Sequence, residues 1–193
     1  MNNVERRTFE FTEVRAVKDK LQIEGHAAVF NHLSEDLGGF REQIRPGAFS
    51  QSIQEDDILA LFNHDPNLIL GRNRAGTLQL AEDEQGLRML VQVPDTQTAR
   101  DVMSLVERRD ITGASFAFMV PKGGDQWERT DAFDLRTLLF VRLRDVSAVT
   151  FPAYPQTDVA VAKRSLEDWR ATLEPVLPVQ RNLRDRYLRL LDK

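Results

Sequence analysis

The strongest fold signal in this chain is the stretch TLQLAEDEQGLRMLVQV, residues 77–93. Apolar side chains recur at alternate positions on both sides of the acidic segment 82–86, which ends in glycine. Alternation with a period of two is the pattern of a half-buried strand, and a polar segment that ends in glycine suits a hairpin loop. The stretch therefore predicts two antiparallel strands, over residues 77–80 and 87–93, joined by an acidic turn.

Similar patterns predict further elements on both sides of this hairpin. Residues 9–17 and 21–30 alternate around a charged turn and predict a second strand pair. Over residues 96–109 the spacing of the apolar residues becomes helical, since four of them fall on one helical face. Asp95 or Thr96 can cap the start of this predicted helix. Helical spacing also appears over residues 48–53. The remaining predicted strands cover residues 58–62, 115–120 and 137–150.

Together these elements predict a mixed α/β fold that is rich in strands. We expect a mostly antiparallel sheet that closes towards a partly open β-barrel, with the helices packed outside it. Residues 31–39 are polar and contain two glycines, which predicts an exposed loop. Such a loop could cover a substrate groove.

The composition limits the class of protein. The chain has 193 residues, of which 41% are hydrophobic and 29% charged, so it can bury a core and we expect one domain plus an appendage. No apolar run approaches the roughly 20 residues that span a bilayer, and the first residues lack the apolar stretch of a secretory signal, which predicts a cytoplasmic protein. A net charge of −4 does not predict a nucleic-acid surface. The absence of cysteine excludes disulfides, thiol catalysis and thiolate-bound zinc.

The character of the sequence changes near its C-terminal end. Apolar residues return at helical spacing after Ala162, two prolines interrupt them, and arginines surround the second apolar face. This shift predicts a main domain over residues 1–161 and a helical extension with two helical pieces over residues 162–193. The extension can be a cap docked on the main domain, or a segment that binds a partner or is trimmed by the protein itself.

Two residues attract attention for their chemistry. His64 follows a predicted strand, where sites are often built, and Asp65-Pro66 directly after it predicts a turn. An imidazole can act as a base near neutral pH. Ser115 opens a predicted buried strand, but its surroundings fail the G-x-S-x-G pattern because Ala117 replaces the second glycine. Taken alone, each residue is more often structural than catalytic, and we interpret His26 and His32 as structural.

Five short blocks follow one another along the chain: GHAAVF at 25–30, IRPGAF at 44–49, LFNHD at 61–65, GASFAF at 113–118 and DVSAVTFPAYP at 145–155. In this order they resemble the successive blocks of the tailed-bacteriophage prohead proteases. They extend over residues 25–155, and the ordered set is specific although each block alone is weak. The family is similar to the herpesvirus assemblins, and the resemblance implies an assemblin-like fold, a partly open and mostly antiparallel barrel wrapped by helices.

The resemblance also implies the roles of individual residues in a serine protease. Ser115 matches the nucleophile, His64 the general base, and Asp145 the position of the acid that orients the base. Asp145 also has a simpler interpretation as a solvated acid near two arginines. By analogy with assemblins, the turn that contains Ala153 and Tyr154 is a candidate for the backbone oxyanion donor. Serine acts covalently, so we expect neither a metal nor a cofactor.

Two departures from the family pattern concern residues near this set. His26 stands where the phage proteins more often have tyrosine, and Ala117 stands where they often have glycine.

The resemblance implies substrates and partners as well. We expect the protein to cleave the scaffold protein, or the scaffold-like leader of the major capsid protein, inside the immature procapsid in the host bacterial cytoplasm. The substrate would bind as an extended strand along an exposed barrel edge. Because assemblins dimerise, a homo-oligomer is a further expectation, whereas no nucleic acid and no membrane are expected as partners.

Two alternatives to an active protease stay open on the sequence. One is a scaffold or capsid-assembly protein that keeps the protease fold without activity, with Ser115 and His64 too far apart for hydrogen bonding. The other is an unrelated β-barrel binding module in which the five blocks match by accident.

Overall fold

The computed structural model describes residues 4–8, 13–17, 20–151 and 160–173 of the chain. This part contains twelve strands, three α-helices and one 3₁₀ turn at Asn73–Ala75. The strands are β1 (Glu5–Arg7), β2 (Glu13–Ala16), β3 (Gln22–Val29), β4 (Phe40–Ile44), β5 (Leu59–Phe62), β6 (Asp65–Arg72), β7 (Leu78–Glu82), β8 (Gly86–Gln92), β9 (Gly113–Met119), β10 (Asp125–Arg129), β11 (Asp134–Leu138) and β12 (Arg142–Val149). The helices are α1 (Ser50–Glu55), α2 (Gln97–Glu107) and α3 (Ala160–Thr172).

The described strands form three sheets. A five-stranded sheet has the order β1-β9-β12-β5-β6, a four-stranded sheet has the order β2-β3-β8-β7, and a three-stranded sheet has the order β10-β11-β4. Only the β12/β5 and β11/β4 neighbours are parallel among these described strands. The predicted strand-rich mixed fold with mainly antiparallel pairing is therefore confirmed. The described strands do not close into a barrel, and the helices are few.

The two larger sheets share one hydrophobic core. Ile23 and Met89 come from the four-stranded sheet, and Phe116 and Val146 from the five-stranded sheet, and all four are almost completely buried in the same cluster. Alternation along each strand sends these side chains inward, which is the arrangement of two sheets packed face to face. The core therefore holds β9 and β12 in a fixed position.

The predicted hairpins are confirmed where the structure describes them. β7 and β8 pair antiparallel from Leu78↔Val91 to Glu82↔Leu87. The Asp83 carboxylate holds the turn between them by accepting hydrogen bonds from the backbone N–H groups of Gln85 and Gly86, at 2.9 and 3.0 Å. β2 and β3 also pair antiparallel, whereas residues 9–12 of the predicted first strand lie outside the described part of the chain.

The predicted helix over residues 96–109 is confirmed as α2. The Thr96 hydroxyl caps its start by accepting a hydrogen bond from the Ala99 backbone N–H at 3.4 Å. Its buried residues are the four that the spacing placed on one face, namely Ala99, Val102, Met103 and Val106. The short predicted helix over residues 48–53 corresponds to α1, and the loop over residues 31–39 contains neither strand nor helix.

Several strand predictions are wrong in detail. The stretch 137–150 is divided between β11, which ends at Leu138, and β12, which begins at Arg142. The sequence patterns missed β1, β4, β6 and β10. β6 contains Pro66, and it lies at the edge of its sheet, where a residue without a backbone N–H costs no ladder hydrogen bond.

Helix α3 lies against the three-stranded sheet. Its residues Ala162 and Leu166 join Leu37 and Phe40 in a second apolar cluster, with Trp127 and Trp169 stacked at 5.9 Å between ring centroids. For this helix the contacts favour the docked-cap interpretation. The second predicted helical piece lies outside the described residues, and the division of the chain at residue 161 stays a prediction.

An ion pair adds to this docking. Burial acts to raise the pKa of Asp134 in β11, but hydrogen bonds from Arg170 of α3 and from Arg129 outweigh it and lower the pKa below its ordinary value of 3.8. The Arg170 Nη2 atom lies 2.5 Å from the carboxylate. None of the described helices is long and apolar enough to cross a membrane.

Candidate active site

The five-stranded sheet brings the three predicted site residues together. Ser115 lies on β9, Asp145 lies on β12 beside it, and His64 follows β5, which is the next strand of the sheet. Ser147 of β12 is directly opposite Ser115 in the antiparallel register. Since Asp145 is two residues from Ser147, its side chain is on the same face of the sheet. Residues far apart in the sequence therefore meet on one face of three adjacent strands.

Hydrogen bonds connect the three side chains in a continuous line. His64 Nε2 lies 2.8 Å from Ser115 Oγ, and His64 Nδ1 lies 2.6 Å from Asp145 Oδ1. With Asp145 ionised, the short Nδ1 contact requires a proton on Nδ1, which leaves Nε2 free to accept the serine proton. The arrangement is the one that activates a serine hydroxyl.

A tight turn positions His64. Asn63 and His64 are the two central residues between the paired Phe62 and Asp65, and they have φ values of +52° and +57°. Two-residue hairpin loops of type I′ require positive φ at both positions, which Asn tolerates and which is unusual for histidine. The turn is not at residues 65–66, as the aspartate–proline pair suggested, but at His64 itself. Backbone strain of this kind is concentrated at functional sites.

Hydrogen bonds to β12 hold this turn. The Asn63 side chain donates to Thr150 Oγ1 at 3.0 Å and accepts from the Thr150 backbone N–H at 2.9 Å. The backbone N–H of Asn63 donates to the Ala148 carbonyl at 3.0 Å, and that of His64 donates to Ser147 Oγ at 3.3 Å. The imidazole is therefore fixed relative to the strand that carries Asp145.

The sequence reasoning missed Ser147, a fully buried residue at the centre of the site. Its hydroxyl donates to Asp145 Oδ1 at 2.8 Å and lies 3.2 Å from His64 Nδ1. This bond restricts the carboxylate to the orientation that faces the imidazole. A usable signal was the period of two along β12, which places residues 145 and 147 on one face.

Asp145 contacts His64 and Ser147 and is only 8% exposed. The interpretation as a solvated acid near arginines is therefore wrong. Arg142 instead pairs with Glu55 and Asp56, at 2.8 and 2.5 Å.

Ser115 has a second hydrogen-bond partner on the other side of β9. Its hydroxyl oxygen lies 2.9 Å from the carbonyl oxygen of Arg7, the last residue of β1. β1 pairs antiparallel with β9, and Ser115 is only 1% exposed. In this structure, β1 covers the predicted nucleophile.

A buried group of charged side chains lies on the other face of β9. The Arg7 Nε atom is 2.9 Å from Glu42 Oε1, and Arg136 Nη1 is 2.9 Å from both Glu5 and Glu42. Asp125 completes the group by accepting from Arg136 Nε at 2.8 Å. Burial alone would lower the pKa of Arg136, but the carboxylates of Glu42 and Glu5 outweigh it and raise that pKa. The sequence offered little signal for this group, because its five members lie on four separate strands, namely β1, β4, β10 and β11.

The other residues singled out from the sequence are outside this site. His26 Nε2 lies 2.8 Å from Asp83 Oδ2 in the β7/β8 turn. Burial acts to raise the pKa of Asp83, but the hydrogen bonds from His26 and from the turn backbone outweigh it, so the pKa is lowered. Ala153 and Tyr154, the predicted oxyanion residues, lie outside the described part of the chain. Within that part, no three His, Asp or Glu side chains cluster as a metal would require.

Comparisons with known proteins show the family of the chain. A prohead protease of Enterobacteria phage HK97 is 30% identical over 177 residues, covering 84% of this chain and 73% of that protein. The structure of the bacteriophage T4 capsid assembly protease matches with a TM-score of 0.54 and 10% identity, over 78% of this chain and 98% of that one, which is a likeness of fold.

These findings decide between the alternatives left open by the sequence. The hypothesis of an unrelated binding module with accidental matches is wrong. An inactive relative was expected to hold Ser115 and His64 too far apart for hydrogen bonding, whereas Ser115 Oγ lies 2.8 Å from His64 Nε2. A model of the caudovirus prohead serine protease family matches residues 9–171, more than half of the chain. The chain therefore belongs to the caudovirus prohead serine proteases.

Proposed function

We propose that Ser115, His64 and Asp145 are the catalytic triad of this serine protease, and that it cleaves peptide bonds through an acyl-enzyme. The observation that carries the proposal is the continuous hydrogen-bonded line from Ser115 Oγ through His64 to Asp145, with contacts of 2.8 and 2.6 Å. Contacts of this length let the Ser115 proton pass to His64 without rearrangement of the strands, while Asp145 stays ionised.

In the first half of the reaction, Ser115 Oγ forms a bond to the peptide carbonyl carbon and its proton passes to His64 Nε2. The resulting imidazolium is stabilised by the Asp145 carboxylate. Collapse of the tetrahedral intermediate breaks the C–N bond, and His64 returns the proton to the leaving amine.

In the second half, water replaces the amine. His64 accepts a proton from the water as its oxygen attacks the ester carbonyl, and then returns a proton to Ser115 Oγ as the ester bond breaks. The products are a new carboxyl end, a new amino end and the regenerated hydroxyl, so this chemistry consumes only water.

The tetrahedral oxyanion needs hydrogen-bond donors aimed at it. We retain the backbone N–H groups near Ala153 and Tyr154 for this role, by analogy with assemblins. Loss of one such donor typically lowers kcat by a factor of about 10²–10³. By the same analogy we also propose an assemblin-like, partly open barrel as the relationship among the sheets.

For the substrate we propose the scaffold protein, or the scaffold-like leader of the major capsid protein, inside the procapsid in the bacterial host. The HK97 relative is named a prohead protease and the T4 protein a capsid assembly protease, which supports a role in capsid maturation. An extended substrate segment would pair with an edge of the sheet that carries Ser115.

Co-expression of the chain with the scaffold and major capsid proteins of the same phage tests the proposal. Wild type should process one of these proteins, and Ser115→Ala should leave both intact while keeping its fold by circular dichroism. Ser104→Ala, on the exposed face of α2, is the matched control and should process normally. Processing by Ser115→Ala at the wild-type rate would refute the assignment.

A further inference from the structure

β1 lies where a peptide substrate has to bind. β9 has two neighbours, and β12 occupies one of its sides, so a strand can be added only on the side that β1 now takes. β1 runs antiparallel to β9 in the register Arg7↔Phe116, Arg6↔Ala117 and Glu5↔Phe118. These β9 residues directly follow Ser115. Strand addition at a sheet edge is a common way for proteins to bind extended peptides.

The end of β1 is placed like the residue whose carbonyl is attacked. The Arg7 carbonyl oxygen is 2.9 Å from Ser115 Oγ, while His64 Nε2 is 2.8 Å from the same atom on the other side. A serine hydroxyl has one proton, and donating it to the Arg7 carbonyl withholds it from the imidazole. This contact therefore blocks the nucleophile and also shows which substrate residue would lie beside it.

We propose that β1 occupies the substrate cleft as a pseudosubstrate, and that Glu42 and Arg136 select the strand that replaces it. The preferred substrate has arginine or lysine at the attacked carbonyl, in the place of Arg7, and an acidic residue two positions earlier, in the place of Glu5. This inference rests on the proposed function of Ser115.

The side chains that hold β1 give the selection its chemistry. Glu42 is fully buried, accepts from Arg7 Nε at 2.9 Å and also from Arg136 Nη1 at 2.9 Å. Arg136 is 1% exposed and donates to Glu5 at 2.9 and 3.1 Å. When β1 leaves, Glu42 and Arg136 each lose a partner. Buried charges are costly without partners, so a replacement strand with the same charges in the same register is favoured over a neutral one.

β1 is also built to be exchanged. It has three residues and pairs with a single strand at the sheet edge, and it precedes the residues that match the family. An edge strand can leave without breaking any other strand pair of its sheet, because β9 keeps β12 as its other neighbour. A substrate strand can therefore compete with β1 without unfolding the sheet.

A reversible lock tests the blocking part of the proposal. Arg6 and Ala117 are directly opposed, and the chain contains no cysteine, so Arg6→Cys with Ala117→Cys forms one defined disulfide. Opposed residues of antiparallel strands are about 4.5–5.5 Å apart between Cα atoms, which is within disulfide range. In the full chain, oxidation should abolish peptide cleavage and reduction should restore it.

The control lock uses the same two residue types elsewhere. Ala81 and Arg88 are directly opposed in the β7/β8 hairpin, so Ala81→Cys with Arg88→Cys should cleave equally well oxidised and reduced. Unchanged cleavage by the oxidised β1 lock would overturn the proposal, because it would make β1 a permanent strand.

A set of peptides tests the selection without any change to the protein. Peptides that share one sequence carry arginine, lysine, glutamine or glutamate at the position of Arg7, and glutamate or lysine at the position of Glu5. The free energy of one charge-assisted hydrogen bond corresponds to a factor of about ten or more in binding. The kcat/KM for the arginine peptide should therefore exceed that for the glutamine peptide by at least about tenfold. Glu42→Gln should reduce this ratio, whereas the exposed Glu107→Gln should leave it unchanged. Equal cleavage of all the peptides would overturn the proposal.

Failure of this proposal and failure of the proposed function give different results. Cleavage that requires Ser115 but shows neither the lock effect nor the charge preference overturns the pseudosubstrate alone. Cleavage that persists in Ser115→Ala overturns the triad, and the pseudosubstrate with it.

Discussion

Replacing Asp145 by asparagine removes one negative charge from the site and changes the side-chain shape very little. In the wild type, Asp145 Oδ1 lies 2.6 Å from His64 Nδ1 and also accepts from Ser147. The amide can still hydrogen-bond to Ser147, so we expect Asp145→Asn to remain folded. What it loses is the anion beside the imidazolium that forms during attack, together with control of the imidazole tautomer.

The magnitude follows from the charges and their separation. Charge centres about 4 Å apart interact by about 4 kcal/mol at an effective dielectric constant of about 20. That energy corresponds to about a thousandfold in rate, since each 1.36 kcal/mol is about tenfold. An amide that donates to Nδ1 also moves the proton to Nε2, and aspartate-to-asparagine changes in such triads cost about 10⁴. We therefore expect kcat to fall by about 10³–10⁴.

Two assays separate this loss from a loss of substrate binding. Peptide cleavage gives kcat and KM, and we expect KM to change little because Asp145 is buried behind His64. The rate of Ser115 labelling by a fluorophosphonate measures the reactivity of the hydroxyl without a peptide and should fall with kcat. Asp65→Asn, one residue after His64 but outside the hydrogen-bonded line, is the matched control and should react like the wild type. A loss of less than about tenfold in Asp145→Asn would refute the role of Asp145.

Three further predictions concern residues that position the site or dock α3. Ser147→Ala should lower kcat by about tenfold at nearly constant KM, because the Asp145 carboxylate loses a charge-assisted hydrogen bond. Steady-state kinetics measures both constants, and an unchanged kcat would exclude a positioning role for Ser147. Asn63→Val should lower the free energy of unfolding, measured in urea, by about 1–2 kcal/mol more than Asn63→Gly does. Both variants lose the same side-chain hydrogen bonds, but only valine resists a positive φ. Equal losses of stability would contradict the turn assignment. The lowered pKa of Asp134 means that its stabilising effect is complete above its ordinary pKa of 3.8 and is lost as the pH falls through the folded-state value. Asp134→Asn should remove this acid-dependent step from the fluorescence of the two tryptophans, and a step of unchanged size would contradict the ion pair with Arg170.

Local signals predicted the elements whose patterns are complete within a short window. The β7/β8 hairpin and α2 follow from periodicity, and the acidic turn and the Thr96 cap have the chemistry that the sequence shows. β1 has no such pattern, because three consecutive charged residues, Glu5-Arg6-Arg7, are typical of a solvated segment. Its partners Glu42 and Arg136 lie 35 and 131 residues away from the residues they bind, and only the folded sheets bring them together.

The candidate site shows the same division. Family resemblance assigned Ser115, His64 and Asp145, since each lies in a recognisable block. The contribution of Ser147 depends on the register between β9 and β12, which no sequence pattern specifies. The turn at residues 63–64 was missed because proline at residue 66 normally marks a turn, whereas here it lies in an edge strand.

Mass spectrometry after fluorophosphonate treatment tests the central assignment most directly. Trypsin releases residues 110–122 as one peptide, in which Ser115 is the only serine. We expect one adduct per active wild-type chain, on Ser115 of this peptide, together with loss of cleavage, and no adduct on Ser115→Ala. An adduct on another serine that abolishes cleavage, or full cleavage by a chain modified at Ser115, would contradict it.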